Sequence, residues 1–225
     1  MKTTAGSLAL IDSVTAGDAT VITNLRAKGA IVIGKTNMSE LSMFMGKAPN
    51  GLSARGGQCQ SAYVAGGDPS GSSSGSAVGT SAGFAPAALG ADVYGALTLP
   101  ASRNGLFSIK PTRGLVSRNG LIGCSDTFDT IGPMAKSAYD TALLLGIMAG
   151  TDLNDPSSES SLLRGHQPAK IELTSSIASS ASRADEMKAD DYTTYTLPEN
   201  AMFTGKKLGV PRQYIFDDAI WGQWG

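Results

Sequence analysis

A predicted helix followed at once by a β-branched run constrains the fold of this chain more than any other sequence feature. Residues 18–28, DATVITNLRAK, carry apolar residues at helical spacing behind an N-cap residue, Asp18. The next run, Ala-Ile-Val-Ile-Gly at 30–34, has no polar alternation, which is typical of a strand buried on both faces. A helix that leads directly into a buried strand predicts the α/β class.

The middle of the chain is rich in glycine and serine, with GGDPSGSSSGSAVG at 66–79. Such a composition is typical of a flexible linker, but the segment runs into a small-residue series that ends at Ala91. We therefore expect an ordered turn that opens a closely packed, buried helix. Further predictions are a short helix at 36–44, short strands within 104–118 and an amphipathic helix at 137–150.

The composition shifts to Ser, Asp, Glu and Thr after residue 150. Few large apolar residues occur at 152–204, which predicts a polar insert or long exposed loop. Order is expected to resume near residue 205, where KKLGVPR is typical of a strand. The chain is long enough to bury a core, and one domain is the expected count.

Charge and residue counts exclude several classes of function. Eighteen basic and nineteen acidic residues give a net charge of −1, which offers no electrostatic footprint for nucleic acid or an anionic membrane. The two cysteines, Cys59 and Cys124, lack CxxC spacing, and His166 is the single histidine, so no metal site is expected. No apolar run approaches the roughly 20 residues of a membrane span, and no secretory signal is visible. We expect a soluble, cytoplasmic protein without a metal or a cofactor.

Eight blocks, in order along most of the chain, carry a resemblance to a known family. They are TTAGS at 3–7, ATVITNLRAKGAIVIGKTNMSE at 19–40, GSSSGSA at 71–77, ALGAD at 88–92, PAS at 100–102, GLFSIKPTRGLVS at 105–117, DTIGPMAKS at 129–137 and GKKLGVPR at 205–212. With these blocks the chain resembles the amidase signature family. The resemblance implies an α/β fold with a mixed β-sheet and helices on both faces, incomplete relative to the family. It implies a single partial amidase-like domain over residues 1–225.

The resemblance also implies a chemistry, in which a serine attacks an amide and its proton passes through a second serine to a neutral lysine. The bridging serine matches Ser72, with Ser73 beside it. The nucleophile position is occupied by Ala96, which has no hydroxyl group. The family's catalytic lysine lies upstream of the TTAGS block, where this sequence has only Met1 and Lys2, so we expect the base to be absent.

The oxyanion region of the family corresponds to Val93, Tyr94 and Gly95, and Tyr94 replaces a glycine there. The arginine usually found two residues after the nucleophile is Thr98. These departures lie close to Ala96 along the chain. They favour natural drift or repurposing over a single serine-to-alanine change.

Each candidate residue also has a structural interpretation. Ser72 and Ser73 are expected to satisfy backbone groups at the helix start, although they would be ligand contacts if the pocket is retained. Asp92 is expected to fix a turn, and Tyr94 to fill the former oxyanion pocket. Together these four residues form a candidate ligand pocket. Neither Lys35, which belongs to a separate block, nor Lys2 is expected to act as a base.

Four hypotheses for the function remain open. The first is a truncated, degenerate amidase-like protein, or pseudoenzyme, without hydrolase activity. The second is a repurposed pocket that binds a small molecule or catalyses a non-hydrolytic step, for instance in secondary metabolism. The third is a binding or assembly module that self-associates through an unpaired sheet edge. The fourth is that the sequence is part of a longer protein.

Overall fold

A small antiparallel sheet with helices on both faces forms the centre of the molecule. The computed structural model describes residues 1–44, 46–158 and 192–193. The helices are α1 (Thr20–Ala27), α2 (Ser74–Ser81), α3 (Thr98–Arg103) and α4 (Ala138–Met148). The strands are β1 (Leu52–Ser53), β2 (Gly57–Gln58), β3 (Ala87–Asp92), β4 (Phe107–Ser108) and β5 (Thr130–Ala135). Short 3₁₀ turns cover Leu8–Leu10 and Glu40–Met43.

The central strand, β5, is buried along its whole length. It pairs antiparallel with β3 on one side and with β4 on the other, while β1 and β2 form a separate hairpin. Because successive side chains of a strand point to opposite faces, β5 contributes to two cores. Ile131 packs with α1 and α4, whereas Met134 packs with α2 and α3. The predicted fold class is therefore confirmed, and the ladders among the described residues are all antiparallel.

A pair of glycines sets the spacing between β3, β5 and α3. Gly90 of β3 lies opposite Gly132 of β5. A Cβ atom on either glycine would meet the fully buried side chain of Leu97, at 2.8 Å from its Cδ1 and 2.5 Å from its Cδ2 respectively. A Cβ on Gly132 would also lie 2.1 Å from the carbonyl oxygen of Ile109. Only glycine at both positions lets the start of α3 pack this closely on the sheet.

The outer edge of β3, the one that faces away from β5, is covered by α2. Ser76 of α2 donates a hydrogen bond to the carbonyl oxygen of Leu89 at 2.8 Å. Ser73, which precedes α2, donates to the carbonyl oxygen of Ala91 at 3.3 Å. Serine hydroxyls thus take the place of a neighbouring strand at these two carbonyls.

Two of the predicted helices are confirmed. The helix predicted at 137–150 is α4, where Ser137 is the N-cap and its Oγ accepts a hydrogen bond from the backbone N–H of Asp140 at 3.0 Å. The helix predicted at 18–28 is α1, but Asp18 does not cap it. Ala19 is at the N-cap, and the Asp18 carboxylate instead forms an ion pair with Arg26 at 2.9 Å.

The strand predicted at 30–34 is wrong in this structure. The segment belongs to no strand, and the side chains of Ile31 and Ile33 are 86% and 70% exposed. The apolar run predicts burial on both faces, but no strand of the described residues lies beside it to bury it. The β-branched side chains favour strand formation, and pairing needs a neighbour.

Three further sequence predictions are corrected. The small-residue series predicts one helix, but α2 ends at Ser81 and the later part forms β3. The predicted helix at 36–44 is reduced to a 3₁₀ turn, because Leu41 and Ser42 adopt left-handed backbone angles. Within 104–118 the strand content is limited to β4 and an isolated bridge from Val116 to Ala149. Small residues are compatible with either helix or strand, so composition alone does not separate α2 from β3.

The polar segment that follows α4 is a packed part of the molecule as far as residue 158. Asp152, Asp155 and Ser158 are buried, whereas Leu153 among them is 80% exposed, and the polar insert or long loop at 152–204 stays a prediction. Asp152 accepts hydrogen bonds from the hydroxyls of Thr20 and Ser117, each at 2.6 Å. Polar side chains can be buried here because their hydrogen bonds are satisfied within the protein. The remainder of the predicted insert, apart from residues 192–193, and the strand predicted near 205 lie outside the described residues.

Candidate active site

The serine-rich turn that precedes α2 is the first component of the site. Ser72 is 3% exposed, and the peptide bond between Gly71 and Ser72 is cis. The Ser72 hydroxyl donates to the Oγ of Ser42 at 3.4 Å, and its carbonyl oxygen accepts from the N–H of Ser39 at 3.0 Å. The turn is therefore fixed to the segment around Ser39 rather than free to move as a linker.

Ser73 connects this turn to the second component of the site. Its N–H donates to the carbonyl oxygen of Ala96 at 3.0 Å, while its hydroxyl donates to Ala91 in β3. Ser73 is the N-cap of α2 but forms no side-chain capping hydrogen bond. The Ser73 hydroxyl thus satisfies a backbone group, but in β3 rather than at the helix start, and the Ser72 hydroxyl donates to a side chain, so neither hydroxyl caps α2.

The second component is the turn from β3 into α3, which Asp92 organises. Its carboxylate is fully buried. One oxygen accepts from the N–H of Gly95 at 2.8 Å, and the other accepts from the N–H groups of Leu97 at 2.9 Å and Thr98 at 3.3 Å. Gly95 has φ +83°, a conformation that glycine adopts without strain. The sequence predicts that Asp92 fixes a turn. The three hydrogen bonds show how it can do so, by joining both carboxylate oxygens to backbone N–H groups of the turn.

Ala96 lies where the two components meet, and it offers the site only a methyl group. Its half-buried position and its carbonyl contact with Ser73 place residue 96 beside the serine turn. Tyr94, two residues earlier, is 94% exposed. The expectation that Tyr94 fills a pocket is therefore wrong, because the turn held by Asp92 directs residue 94 toward solvent.

Some backbone N–H groups of the turn from β3 into α3 form hydrogen bonds within the turn, and others form none. The N–H of Gly95 is occupied by Asp92. Among the described residues, the N–H groups of Val93, Tyr94 and Ala96 form no hydrogen bond. Free backbone N–H groups in such a turn are suited to an oxygen atom that carries negative charge.

Neither lysine considered from the sequence contacts the serine turn. The Lys35 ammonium group donates to the Thr3 hydroxyl, and Lys2 forms an ion pair with Asp12 at 2.9 Å. No group of three or more His, Cys, Asp or Glu residues that could hold a metal ion occurs in the described ranges. Burial raises the pKa of the Cys59 thiol, although a hydrogen bond to Gln60 opposes this, and a raised pKa disfavours the reactive thiolate.

Two cavities in the described part of the chain illustrate the available space, and neither is lined by the residues of the predicted ligand pocket. The first, of about 520 Å³, is lined by polar residues that include Asn50, Gln58 and Asp68. The second, of about 330 Å³, is largely apolar and lies between β4 and α4, with Tyr192 on its wall. Ser72, Ser73 and Asp92 are buried and hydrogen-bonded, whereas Tyr94 points away from them. The four residues are close in the chain's fold, and neither of these two cavities is lined by them.

The sequence analysis does not identify two residues, Asn37 and Ser39, whose hydrogen bonds hold the segment that the serine turn packs against. Ser39 is fully buried, and its hydroxyl accepts from the N–H of Gly51 at 2.8 Å. Asn37 donates to the carbonyl oxygens of Gly51 and Gly57 and accepts from Ser53. Both residues belong to the TNMSE block at 36–40, which the sequence shows as a motif. The contact between this block and the serine turn cannot be read from the sequence, because about 35 residues separate them.

Solved structures of amidases superpose on this arrangement. An amidase family protein from Bacillus anthracis str. Ames has a TM-score of 0.70 at 40% identity, over 71% of this chain and 32% of that one. The native peptide amidase of Stenotrophomonas maltophilia has a TM-score of 0.68 at 46% identity, over 71% of this chain and 33% of that one. The fold and the serine turn therefore define an amidase-type polypeptide.

Sequence comparisons give the same result. The chain is 40% identical over 216 residues to a putative amidase of Arthroderma benhamiae, which covers 96% of this chain and 32% of that protein. It is 36% identical over 220 residues to a glutamyl-tRNA(Gln) amidotransferase polypeptide from Marinobacter nauticus, over 96% of this chain and 39% of that protein. The profile of the family described as Amidase matches residues 1–187, and the chain belongs to that family. It spans about a third of the length of these relatives.

No helix of the described residues has both the length and the apolar character needed to cross a membrane.

Proposed function

We propose that this amidase-family chain does not itself hydrolyse amides, because residue 96 is alanine and because neither Lys2 nor Lys35 contacts the serine turn as a base. Acyl transfer begins when a nucleophilic oxygen donates an electron pair to the amide carbonyl carbon while a base accepts its proton. The methyl group of Ala96 has no lone pair and no acidic proton. The observation that carries the proposal is the hydrogen bond from Ser73 to Ala96, since it places this methyl group beside the serine turn.

Ser72 is a poor replacement for the missing nucleophile. Its side chain is almost fully buried, and its hydroxyl proton is directed to Ser42 rather than to a base. Lys2 and Lys35 are engaged with Asp12 and Thr3. An alcohol without a neighbouring base has a pKa far above neutral pH and attacks amides too slowly for turnover.

The test combines a covalent probe with an activity assay on the 225-residue chain. We expect no adduct with a fluorophosphonate, which reacts with activated serines, and no release of ammonia from simple carboxamides. The variant Ala96→Ser is expected to remain inactive, because a hydroxyl at residue 96 still has no base in contact. Its matched control is Ala96→Gly, which changes the same position without adding a hydroxyl.

Two results would contradict the proposal. One is a fluorophosphonate adduct on Ser72 or Ser42 of the unmodified chain, together with amide turnover that Ser72→Ala abolishes. The other is a gain of turnover in Ala96→Ser, which would show that a base is already in place.

A second function, the binding of a carboxylate ligand, is favoured by the free N–H groups of Val93, Tyr94 and Ala96. A carboxylate has the charge and the acceptor geometry that such donors prefer. Thermal unfolding with and without acetate, butyrate and benzoate tests this function. Stabilisation by the acids but not by the matching primary amides supports it, and no shift with any of them refutes it.

A further inference from the structure

Three Asn-Gly dipeptides occur in this chain, at residues 50–51, 104–105 and 119–120. An asparagine that precedes glycine is prone to lose ammonia, because the unhindered backbone nitrogen of the glycine can bond to the side-chain amide carbon and close a five-membered ring. Whether a given pair reacts in the folded protein depends on how its side chain and its backbone N–H are held. The structure holds the three pairs differently.

The first two pairs are restrained by buried groups. Asn104 is fully buried, and its side-chain amide forms three hydrogen bonds to backbone groups. The N–H of Gly51 donates at 2.8 Å to the hydroxyl of Ser39, which is also fully buried. The side chain of Asn50 donates to the Asp68 carboxylate at 3.0 Å. Ring closure at either pair requires these contacts to be broken first.

The third pair lies on an exposed turn between Arg118 and Leu121. The N–H of Leu121 donates to the carbonyl oxygen of Arg118 at 2.9 Å and closes the turn. Asn119 and Gly120 at its centre are both exposed, and Gly120 has φ +85°. The N–H of Gly120 forms no hydrogen bond with any residue that the structure describes. In the same part of the chain, the reacting amide is held by one hydrogen bond, from Nδ2 to the Thr20 hydroxyl at 3.0 Å.

We propose that Asn119 is a modification site, at which spontaneous deamidation through a succinimide replaces the side-chain amide by a carboxylate. The nitrogen of Gly120 gives its proton to solvent base and bonds to Cγ of Asn119, and the Cγ–Nδ2 bond breaks as ammonia leaves. Water then opens the ring at one of its two carbonyl carbons. Opening at Cγ gives aspartate at residue 119, and opening at the backbone carbon gives isoaspartate. The sum is asparagine and water converted to an acid and ammonia.

The new carboxylate acts on the contact between α1 and the segment after α4. The Thr20 hydroxyl accepts from Asn119 and donates to the Asp152 carboxylate at 2.6 Å. A carboxylate at residue 119 cannot donate to Thr20, and it adds negative charge near that of Asp152. Isoaspartate also lengthens the main chain next to Arg118, whose guanidinium group bonds to Asp155. Both products therefore weaken the attachment of the segment after α4.

Peptide mass spectrometry tests the site after incubation of the 225-residue chain in mildly alkaline buffer. We expect conversion at Asn119 to be at least about ten-fold faster than at Asn50 or Asn104, because restrained pairs react only from locally opened states. In concentrated urea the three rates should become similar, since the fold no longer separates them. Asn119→Gln is the matched control. It keeps an exposed amide, but a six-membered ring closes far more slowly, so residue 119 should stay unchanged.

Urea unfolding tests the effect on the fold. Asn119→Asp reproduces one product, and its unfolding midpoint should lie below that of the unmodified chain. Thr112→Asp, which adds the same charge at another exposed position, should leave the midpoint unchanged.

Three outcomes would overturn the proposal. One is conversion at Asn50 or Asn104 that equals or exceeds the rate at Asn119 in the folded chain. Another is an Asn119 that stays intact while the urea-unfolded chain reacts at all three pairs. The third is an equal midpoint for Asn119→Asp and the unmodified chain, which would show that a carboxylate at residue 119 does not weaken the contact with Thr20.

Discussion

At the scale of single residues, Asp92 explains how the turn next to the serine segment keeps its shape. One carboxylate accepts three backbone hydrogen bonds, and it does so while fully buried. Hydrogen bonds to a charged acceptor are stronger than those between neutral groups. The position of Ala96 is therefore set by Asp92 and by the backbone contact with Ser73, and not by the side chain at residue 96.

Asp92→Asn should destabilise the protein by about 2–4 kcal/mol. The amide keeps one acceptor oxygen, but its NH₂ group must then face at least one backbone N–H that the carboxylate now accepts. Urea unfolding followed by circular dichroism measures the change. The control is Asp126→Asn, an exposed change that should cost less than about 0.5 kcal/mol. Equal stabilities for the two variants would show that the Asp92 contacts contribute nothing net.

At the scale of elements, the segment after α4 is tied to the chain before β5 by two buried carboxylates. Asp155 accepts from the N–H of Arg118 at 2.8 Å and from its guanidinium group at 3.2 and 3.3 Å, and it also accepts from Ser157. Burial raises the pKa of Asp155, but the hydrogen bonds from Arg118 and Ser157 together outweigh it, so the pKa lies well below the ordinary value. The pKa of Asp152 is lowered in the same way by Ser117 and Thr20, against the effect of burial.

This network predicts a loss of stability in acid. A carboxyl group whose folded pKa is lower than its unfolded pKa stabilises the fold above the unfolded value, and the contribution disappears as the pH falls toward the folded value. Asp155→Asn should therefore cost about 2–4 kcal/mol at pH 7 and at pH 5. The difference from the unmodified protein should shrink below about pH 4. Urea unfolding across this pH range is the measurement, and a difference that stays constant down to about pH 3 would contradict the assignment.

The sequence predicts elements well where local signals are complete. Helix α4 has a capping serine and an apolar pattern, and both are visible in the sequence around Ser137. Strand β3 is not separable from a helix by sequence, because its small residues follow α2 without a clear break. The exposure of Ile31 is not predictable either, because burial of a strand depends on a neighbour distant in sequence. At the site, the sequence shows which side chains stand at 72, 92 and 96. It does not show the contact between Ser72 and Ser42, which depends on tertiary structure.

At the scale of the whole molecule, β5 joins two hydrophobic cores into one unit. Ile131 and Met134 lie on opposite faces of this strand, and each is surrounded by a different pair of helices. A loss of packing on one face should therefore weaken the sheet that supports the other. The molecule is expected to unfold in one cooperative transition.

Ile131→Ala and Met134→Ala should each cost about 2–5 kcal/mol, because both remove buried side-chain volume. Each variant should still unfold in a single urea transition, with the same midpoint by circular dichroism and by near-ultraviolet absorbance. Leu153→Ala, at an 80% exposed position, is the control and should change stability by less than about 0.5 kcal/mol. Two separate transitions in either variant would show that the cores unfold independently.

The serine hydroxyls that donate to the carbonyl oxygens of Leu89 and Ala91 also limit aggregation by strand addition. A fibre grows only if every added molecule presents a fresh edge on which the next one can bind. Along β3 the carbonyl groups of that edge are bonded to Ser73 and Ser76, so an added strand could pair there only after α2 had been displaced. Strand addition to this sheet is therefore blocked at β3, which protects the protein against one route to amyloid.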